Sequence, residues 1–115
     1  MSVDAGDGVT LAGVNPSLDL VLGALAEPTR RSLFLRLAND GPETATTLAE
    51  GLPVSRQAVA KHLQVLAGAG LLRRVRAGRE VRFEADPKAM DDAVSWMVDA
   101  GAAWDRRLDR LRRSL

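Results

Sequence analysis

The chain has 115 residues, no cysteine and a formal net charge of +1. That length suits one domain with a thin core, the lack of thiols excludes a disulfide framework or thiolate metal centre, and no apolar run approaches the ~18 residues that a membrane helix needs. The default expectation is therefore a soluble cytoplasmic protein, with core burial falling mostly to Leu, Val and Ala because the aromatics are only Phe34, Phe83, Trp96 and Trp104.

Residues 1–16 are rich in Gly, Ala, Asp and Val without periodicity and read as a flexible segment, although Val9, Leu11 and Val14 could dock on a neighbouring surface. Ser17 suits the cap of a first helix, with Leu18, Val21, Leu22 and Leu25 at helical spacing. Glu27-Pro28 starts a second helix, since proline fits the first turn and an acid suits the positive end of the dipole. Its core face is Leu33, Phe34, Leu37 and Ala38, and Asn39, Asp40, Gly41 and Pro42 stop it. Arg30 and Arg31 near its start have two readings, a phosphate contact or solvated charges.

The next stretch, 44–72, organises the rest. Ala45, Leu48, Ala49 and Leu52 fall at i, i+3, i+4 and i+7, an amphipathic helix of about two turns that Thr44 can cap. Gly51 and Pro53 force a turn. Ser55 is a good N-cap, and Val54 before it can staple onto Val59. In the helix that follows, Val59, Leu63 and Leu66 face inward, while Gln57, Lys61 and Gln64, flanked by Ala60 and with Arg56 at the amino end, form an outer face with donors and no acid. Gly70 is the residue expected to leave this helix in a left-handed conformation. Arginine, lysine and glutamine at these positions have the geometry to contact guanine, phosphate and adenine.

Between 71 and 84, two runs with branched or aromatic residues flank Ala77-Gly78-Arg79, which reads as a hairpin. Val75, Val81 and Phe83 are its apolar positions, interleaved with Arg74, Arg76 and Arg82. Arg79 at the tip could reach a minor groove or flanking phosphate, or could simply keep an edge hairpin soluble. A helix-turn-helix followed by a basic hairpin is a winged helix. The charge is distributed to match: residues 1–27 carry four acids and no Lys or Arg, whereas 54–83 carry Arg56, Lys61, Arg73, Arg74, Arg76, Arg79 and Arg82 against Glu80 alone. Cations concentrated on such a head can displace counterions from a duplex.

Asp86-Pro87 opens a final helix in which Met90, Val94, Met97, Gly101, Trp104, Leu108, Leu111 and Leu115 recur at alternating spacings of 4 and 3. An unbroken heptad stripe asks for a partner helix; packing on the chain's own first helix is the alternative, and both can hold together. Arg106, Arg107, Arg110, Arg112 and Arg113 lie off the stripe with Asp105 and Asp109, as a solvated face.

Taken in order, PTRRSLFLRLA at 28–38, TTLAEGLPVSRQAVAKHLQVLAGAGLL at 46–72 and AGREVRFEAD at 77–86 resemble the ArsR family of bacterial winged-helix regulators, with VSRQAVAKHLQVL the most specific part. The resemblance covers the chain from about Leu18 onward. It implies a mainly α fold of about five helices with a small β-hairpin, and a homodimer joined through the terminal helices. DNA would be met by Ser55, Arg56, Gln57, Lys61, Gln64, Arg79 and Arg82, and the dimer interface would hold Leu18, Leu22, Met90, Val94, Met97, Gly101, Trp104, Leu108 and Leu111. Residues 17–85 would form the DNA-binding core and 86–115 the dimerisation helix.

Metal-sensing members of that family carry cysteines, or His and acid pairs, at positions that read TLAEGL and MDDAVSWMVDAGAAWD here. The chain departs from them and resembles, in its W-x7-W spacing, a subgroup without metal ligands, so no metal and no cofactor is expected. His62, the only histidine, is given a structural role, within the fold or at a phosphate, and Asp91 and Asp92 read as helix amino-end acids. Nothing places a nucleophile beside a base, so an enzyme is not expected. The expected function is a sequence-specific transcriptional regulator, a repressor on an inverted-repeat operator of double-stranded DNA, with any small-molecule effector unidentified. The competing reading is a winged-helix module whose basic face grips an acidic protein.

Overall fold

A computed structural model describes residues 16–115. The expectation of a flexible amino segment, and of docking by Val9, Leu11 and Val14, falls on 1–15, outside the described residues. Five α-helices and three short strands follow in the order α1 (Pro16–Leu25), α2 (Pro28–Asp40), β1 (Glu43–Thr44), α3 (Ala45–Ala49), α4 (Arg56–Gly68), β2 (Leu72–Ala77), β3 (Glu80–Ala85) and α5 (Asp91–Ser114), with a 3-10 turn, Pro87–Met90, ahead of α5. The chain is thus a mainly α winged helix-turn-helix.

Helix α1 begins at Pro16 rather than after Ser17, because proline loses nothing at a position whose N–H has no intrahelical partner. In α2 the Glu27 carboxylate is the N-cap, accepting from Arg30 N–H at 2.8 Å. That bond holds its carboxyl below the ordinary value of 4.5. A group with a depressed folded pKa stabilises the fold above its unfolded pKa, and the contribution is lost as pH falls through the folded value. Glu27→Gln should therefore lower the thermal midpoint at pH 7, with the gap to the parent closing as pH drops below 4.5; a gap independent of pH in a melting series would contradict this.

The core is one cluster. It joins Leu18, Val21 and Ala24 of α1, Leu33, Phe34 and Leu37 of α2, Leu48 of α3, and Val59, Leu63 and Leu66 of α4, closed by Leu71, Leu72, Phe83 and Ala93. Ala38, expected on the core face of α2, is exposed, since Leu33, Phe34 and Leu37 already fill the side that meets α4 and the sheet. Helix α3 is also shorter than expected. It stops at Ala49, Gly51 takes φ +81°, and Leu52 packs half-buried from the turn instead of from the helix.

The exit from α4 is a Schellman motif. Gly70 N–H donates to Ala67 O and Leu71 N–H to Leu66 O, both at 3.0 Å, with Gly70 at φ +81° and both leucines fully buried. Only glycine takes that φ without strain, and the reversal aims the chain into the wing. Strands β2 and β3 pair antiparallel with Ala77 opposite Glu80. The loop is therefore the two residues Gly78-Arg79 and Ala77 belongs to the strand, contrary to expectation. Gly78 has φ +65° and Arg79 does not go positive, the pattern of a type II′ hairpin turn.

Strand β1 was not expected. Glu43 pairs with Phe83 and Thr44 with Arg82, and a bidentate ion pair from Arg36 of α2 to Glu43, both bonds 2.9 Å, fixes it. Two residues are too few to show alternation, so only the tertiary pairing reveals the strand, which covers one edge of β3.

The terminal helix leaves its stripe uncovered within the protomer. The first turn after Asp86-Pro87 is 3-10, with Asp86 capping Lys88 N–H at 3.2 Å. Of α5 itself only Ala93, beside the stripe, is buried. Met90 is half-buried against the core. Val94, Met97, Trp104, Leu108 and Leu111 are each 40–58 % exposed. Leu18, placed at an interface from sequence, is 5 % exposed within the protomer's own core, so it is not available to a second copy; Leu22, four residues on, is exposed on the outer side of α1. The reason is helical phase: Leu18 shares a face with Val21 and Ala24, which meets the core.

Candidate nucleic-acid interface

The geometry of the reading helix follows from its amino end. Ser55 Oγ accepts from Ala58 N–H at 3.1 Å, the N-cap that starts α4, while Val54 lies half-buried against the core and sets the entry of the helix. Thr44 does the same for α3, accepting from Thr47 N–H at 3.1 Å. With Val59, Leu63 and Leu66 fully buried, helical periodicity turns Arg56, Gln57, Lys61 and Gln64 outward. All four, with Ser55, are exposed, so the structure brings the five expected reading positions onto one free face.

The wing is less uniform. Register places Leu72, Arg74 and Arg76 on the same face as Ala85, Phe83 and Val81. That face starts in the core at Leu72 and Phe83 and runs outward, with the Arg74 guanidinium 5.8 Å from the Phe83 ring centroid, within cation–π range. The opposite face carries two ion pairs, Arg73 to Glu84 at 2.8 Å and Arg82 to Glu80 at 3.1 Å. Arg79 is exposed at the tip and Arg76 is exposed beside it. Arg82, expected to be free for a phosphate, is thus engaged by Glu80. Exposed pairs of this kind are worth little, so a phosphate can displace the acid. Arg76, counted in the sequence only among the cations of the head, is set apart from Arg73 and Val75 by the alternation from Leu72 outward.

Arg30 and Arg31 both make hydrogen bonds that their two sequence readings did not include. Arg30 Nε donates to Ala24 O at 2.7 Å and its Nη2 to Gly23 O at 3.4 Å, and Arg31 Nη1 donates to Leu25 O and Ala26 O at 2.8 and 2.9 Å. Helix α1 has no basic residue in its own last turn, and these two side chains from α2 satisfy its carbonyls. Sequence spacing gives no sign of this, because it depends on how α1 folds back against α2.

Among the described residues no group of three His, Cys, Asp or Glu is placed to hold a metal ion, and no helix is long and apolar enough to cross a membrane. Asp91 and Asp92 lie in the first turn of α5, where acids favour the dipole.

A short helix, a turn, a second helix with an acid-free polar outer face, and a cationic two-stranded wing define a winged helix-turn-helix DNA-binding protein. A helix-turn-helix domain family matches residues 25–75. The HTH-type transcriptional regulator Rv2034 of Mycobacterium tuberculosis is 39 % identical over 92 residues, covering 80 % of this chain and 82 % of that protein. The transcriptional repressor SdpR of Bacillus subtilis is 29 % identical over 79 residues, covering 69 % of this chain and 87 % of its own length. Among solved structures, an ArsR-like transcriptional regulator from Rhodococcus sp. RHA1 superposes with TM-score 0.74 at 38 % identity, over 85 % of this chain and 92 % of that one. The chain belongs to the ArsR family of winged helix-turn-helix transcriptional regulators, DNA-binding proteins rather than enzymes.

Proposed function

We propose that this regulator is a homodimeric repressor that binds an inverted-repeat operator, laying α4 of each copy in successive major grooves. The observation that carries the reading is the exposed face of Ser55, Arg56, Gln57, Lys61 and Gln64, which presents donors without a single carboxylate. Arg56 and Gln57, at the amino end of α4, are the side chains for base edges. Lys61 and Gln64 follow along the groove, and Arg79, Arg76 and Arg82 on the wing take phosphate or minor groove.

Residues 17–85 act as the DNA-binding core and 86–115 as the dimerisation helix. What supports the second role is the uncovered stripe of Val94, Met97, Trp104, Leu108 and Leu111, since exposed apolar patches mark interaction surfaces; Gly101 lets backbones approach closely along it. Leu22, exposed on α1, and Met90, half-buried ahead of α5, are assigned to the same interface. SdpR is named a repressor, and a dimer seated on promoter DNA excludes polymerase by occupancy. The cytoplasm is the compartment in which this activity would operate.

The test is a mobility shift with the promoter upstream of the protein's own gene, against random duplex of equal length, followed by a footprint. Specific retardation is expected, with two protected half-sites centred about 10 to 10.5 bp apart or a multiple of that. Equal retardation of both duplexes, or co-purification with an acidic protein and no retardation, overturns it.

A further inference from the structure

One side chain connects three helices. Arg30, in the first turn of α2, reaches back to α1 through Ala24 O at 2.7 Å and Gly23 O at 3.4 Å, and forward to α4, where Nη1 lies 3.4 Å from His62 Nδ1. A guanidinium only donates, so in this contact Nδ1 is the acceptor. His62 is half-buried and adjoins Lys61 on the reading helix. At its other end the link terminates on the carbonyls of α1, a helix that contacts α5 and leaves Leu22 exposed. Arg30 and Glu27, both from the start of α2, are charged groups that face His62.

We infer that Arg30 and His62 are positioning residues: they lock the angle of α4 to α1, and so hold the two reading helices of the dimer at a single separation. This rests on the dimeric reading above. The apolar contacts of Val59, Leu63 and Leu66 fix the depth of α4 in the core. Apolar contacts are non-directional and permit sliding or rocking of one helix on another, whereas a directed polar bond on the flank of the stripe sets rotation. A dimer needs that rotation fixed, because moving one half-site by one base pair swings it by about 34° around the duplex axis.

The chain has no cysteine, so Gln57→Cys provides one spin-label position on each reading helix, and the label-to-label distance can be measured in the DNA-free dimer. In that background His62→Leu removes the acceptor while leaving Arg30 on α1, and His62→Asn restores an acceptor close to the place of Nδ1. The parent should give one narrow distance distribution, His62→Leu a distribution roughly twice as wide, and His62→Asn a width close to the parent's.

With the unlabelled proteins, preference for the best half-site spacing over one offset by a base pair should fall from about 10-fold to about 3-fold in His62→Leu and return in His62→Asn, with all three melting as folded dimers. Equal widths and equal spacing preference in His62→Leu and parent overturn the positioning role alone, as does an Asn variant no better than Leu. Absence of any intermolecular distance in the parent background overturns the dimer, and the positioning role with it.

Discussion

Leu108→Glu should convert the protein to monomers at concentrations where the parent is dimeric, and sharply weaken operator binding without unfolding the protomer. Leu108 lies in the distal half of α5, where every residue from Gly101 onward is exposed, so the substitution removes nothing from the protomer's core. In a two-fold dimer it acts twice. Each copy loses part of the ~1.5 to 3 kcal/mol that burying a large apolar side chain contributes, and a carboxylate enters an apolar seam where its desolvation is uncompensated.

A combined loss of ~3 kcal/mol corresponds to a rise in the dimer dissociation constant of roughly 100-fold. Sedimentation and circular dichroism separate the two effects: helix content and protomer melting should stay near the parent's while mass halves. Operator affinity should fall further than for any single contact residue, because joining two half-site interactions supplies on the order of 10² to 10⁴ in effective affinity. A variant that remains dimeric would place the interface somewhere other than the α5 stripe.

The second large effect belongs to the reading face. Arg56→Ala combined with Lys61→Ala should weaken operator binding by roughly 10² to 10⁴, since a base contact is worth ~1 to 3 kcal/mol and each change occurs in both copies. Both side chains are exposed and outside the core, so melting should move by no more than ~0.5 kcal/mol equivalent. Salt separates their roles. Replacing a phosphate-binding lysine lowers the slope of log affinity against log salt by about one per copy, so Lys61→Ala alone should flatten it by about two, while Arg56→Ala should chiefly relax base preference at one position of each half-site. Unchanged affinity in the double variant would remove both residues from the interface, and a parental slope near zero would remove the electrostatic basis of the site.

The two changes act on different physical quantities and are distinguishable in one titration series. Loss of the dimer makes binding depend on protein concentration and leaves single half-site recognition intact. Loss of the reading cations weakens both half-sites and leaves the mass unchanged. Glu27 provides the contrast, since its N-cap affects the fold through pH and reaches the DNA-facing side chains only through the position of α2.

The helix-turn-helix was legible in the chain because its signals are local. Thr44 and Ser55 are N-caps by their own hydroxyl chemistry, Gly51 and Pro53 break helix wherever they occur, and the spacing of Val59, Leu63 and Leu66 fixes by rotation alone that Arg56, Gln57, Lys61 and Gln64 point the other way. Gly70 is similar: its neighbours decide that a positive φ is needed, and the Schellman bonds follow. Where sequence reading failed, the deciding contact joined residues distant along the chain. Strand β1 exists because Glu43 and Thr44 meet β3, and Arg36 is what holds Glu43 there.

The sequence therefore determined by itself the sites at which helices start and stop, the division of charge that puts the cations on the reading head and wing, and the heptad stripe of α5, since each depends on side chains within a few residues of one another. Tertiary structure alone decided which apolar residues the protomer keeps for itself and which it leaves exposed, taking Leu18 and Ala93 into the core and leaving Leu22, Met97 and Leu108 outside. It also decided that Arg30 and Arg31 cap α1, that Arg82 shares its charge with Glu80 while Arg76 is exposed beside the tip, and that His62 accepts from a side chain 32 positions away. The physical reason is one of range: periodicity and capping are properties of a single helix, whereas burial and long-range hydrogen bonds are set by the angle at which one element crosses another.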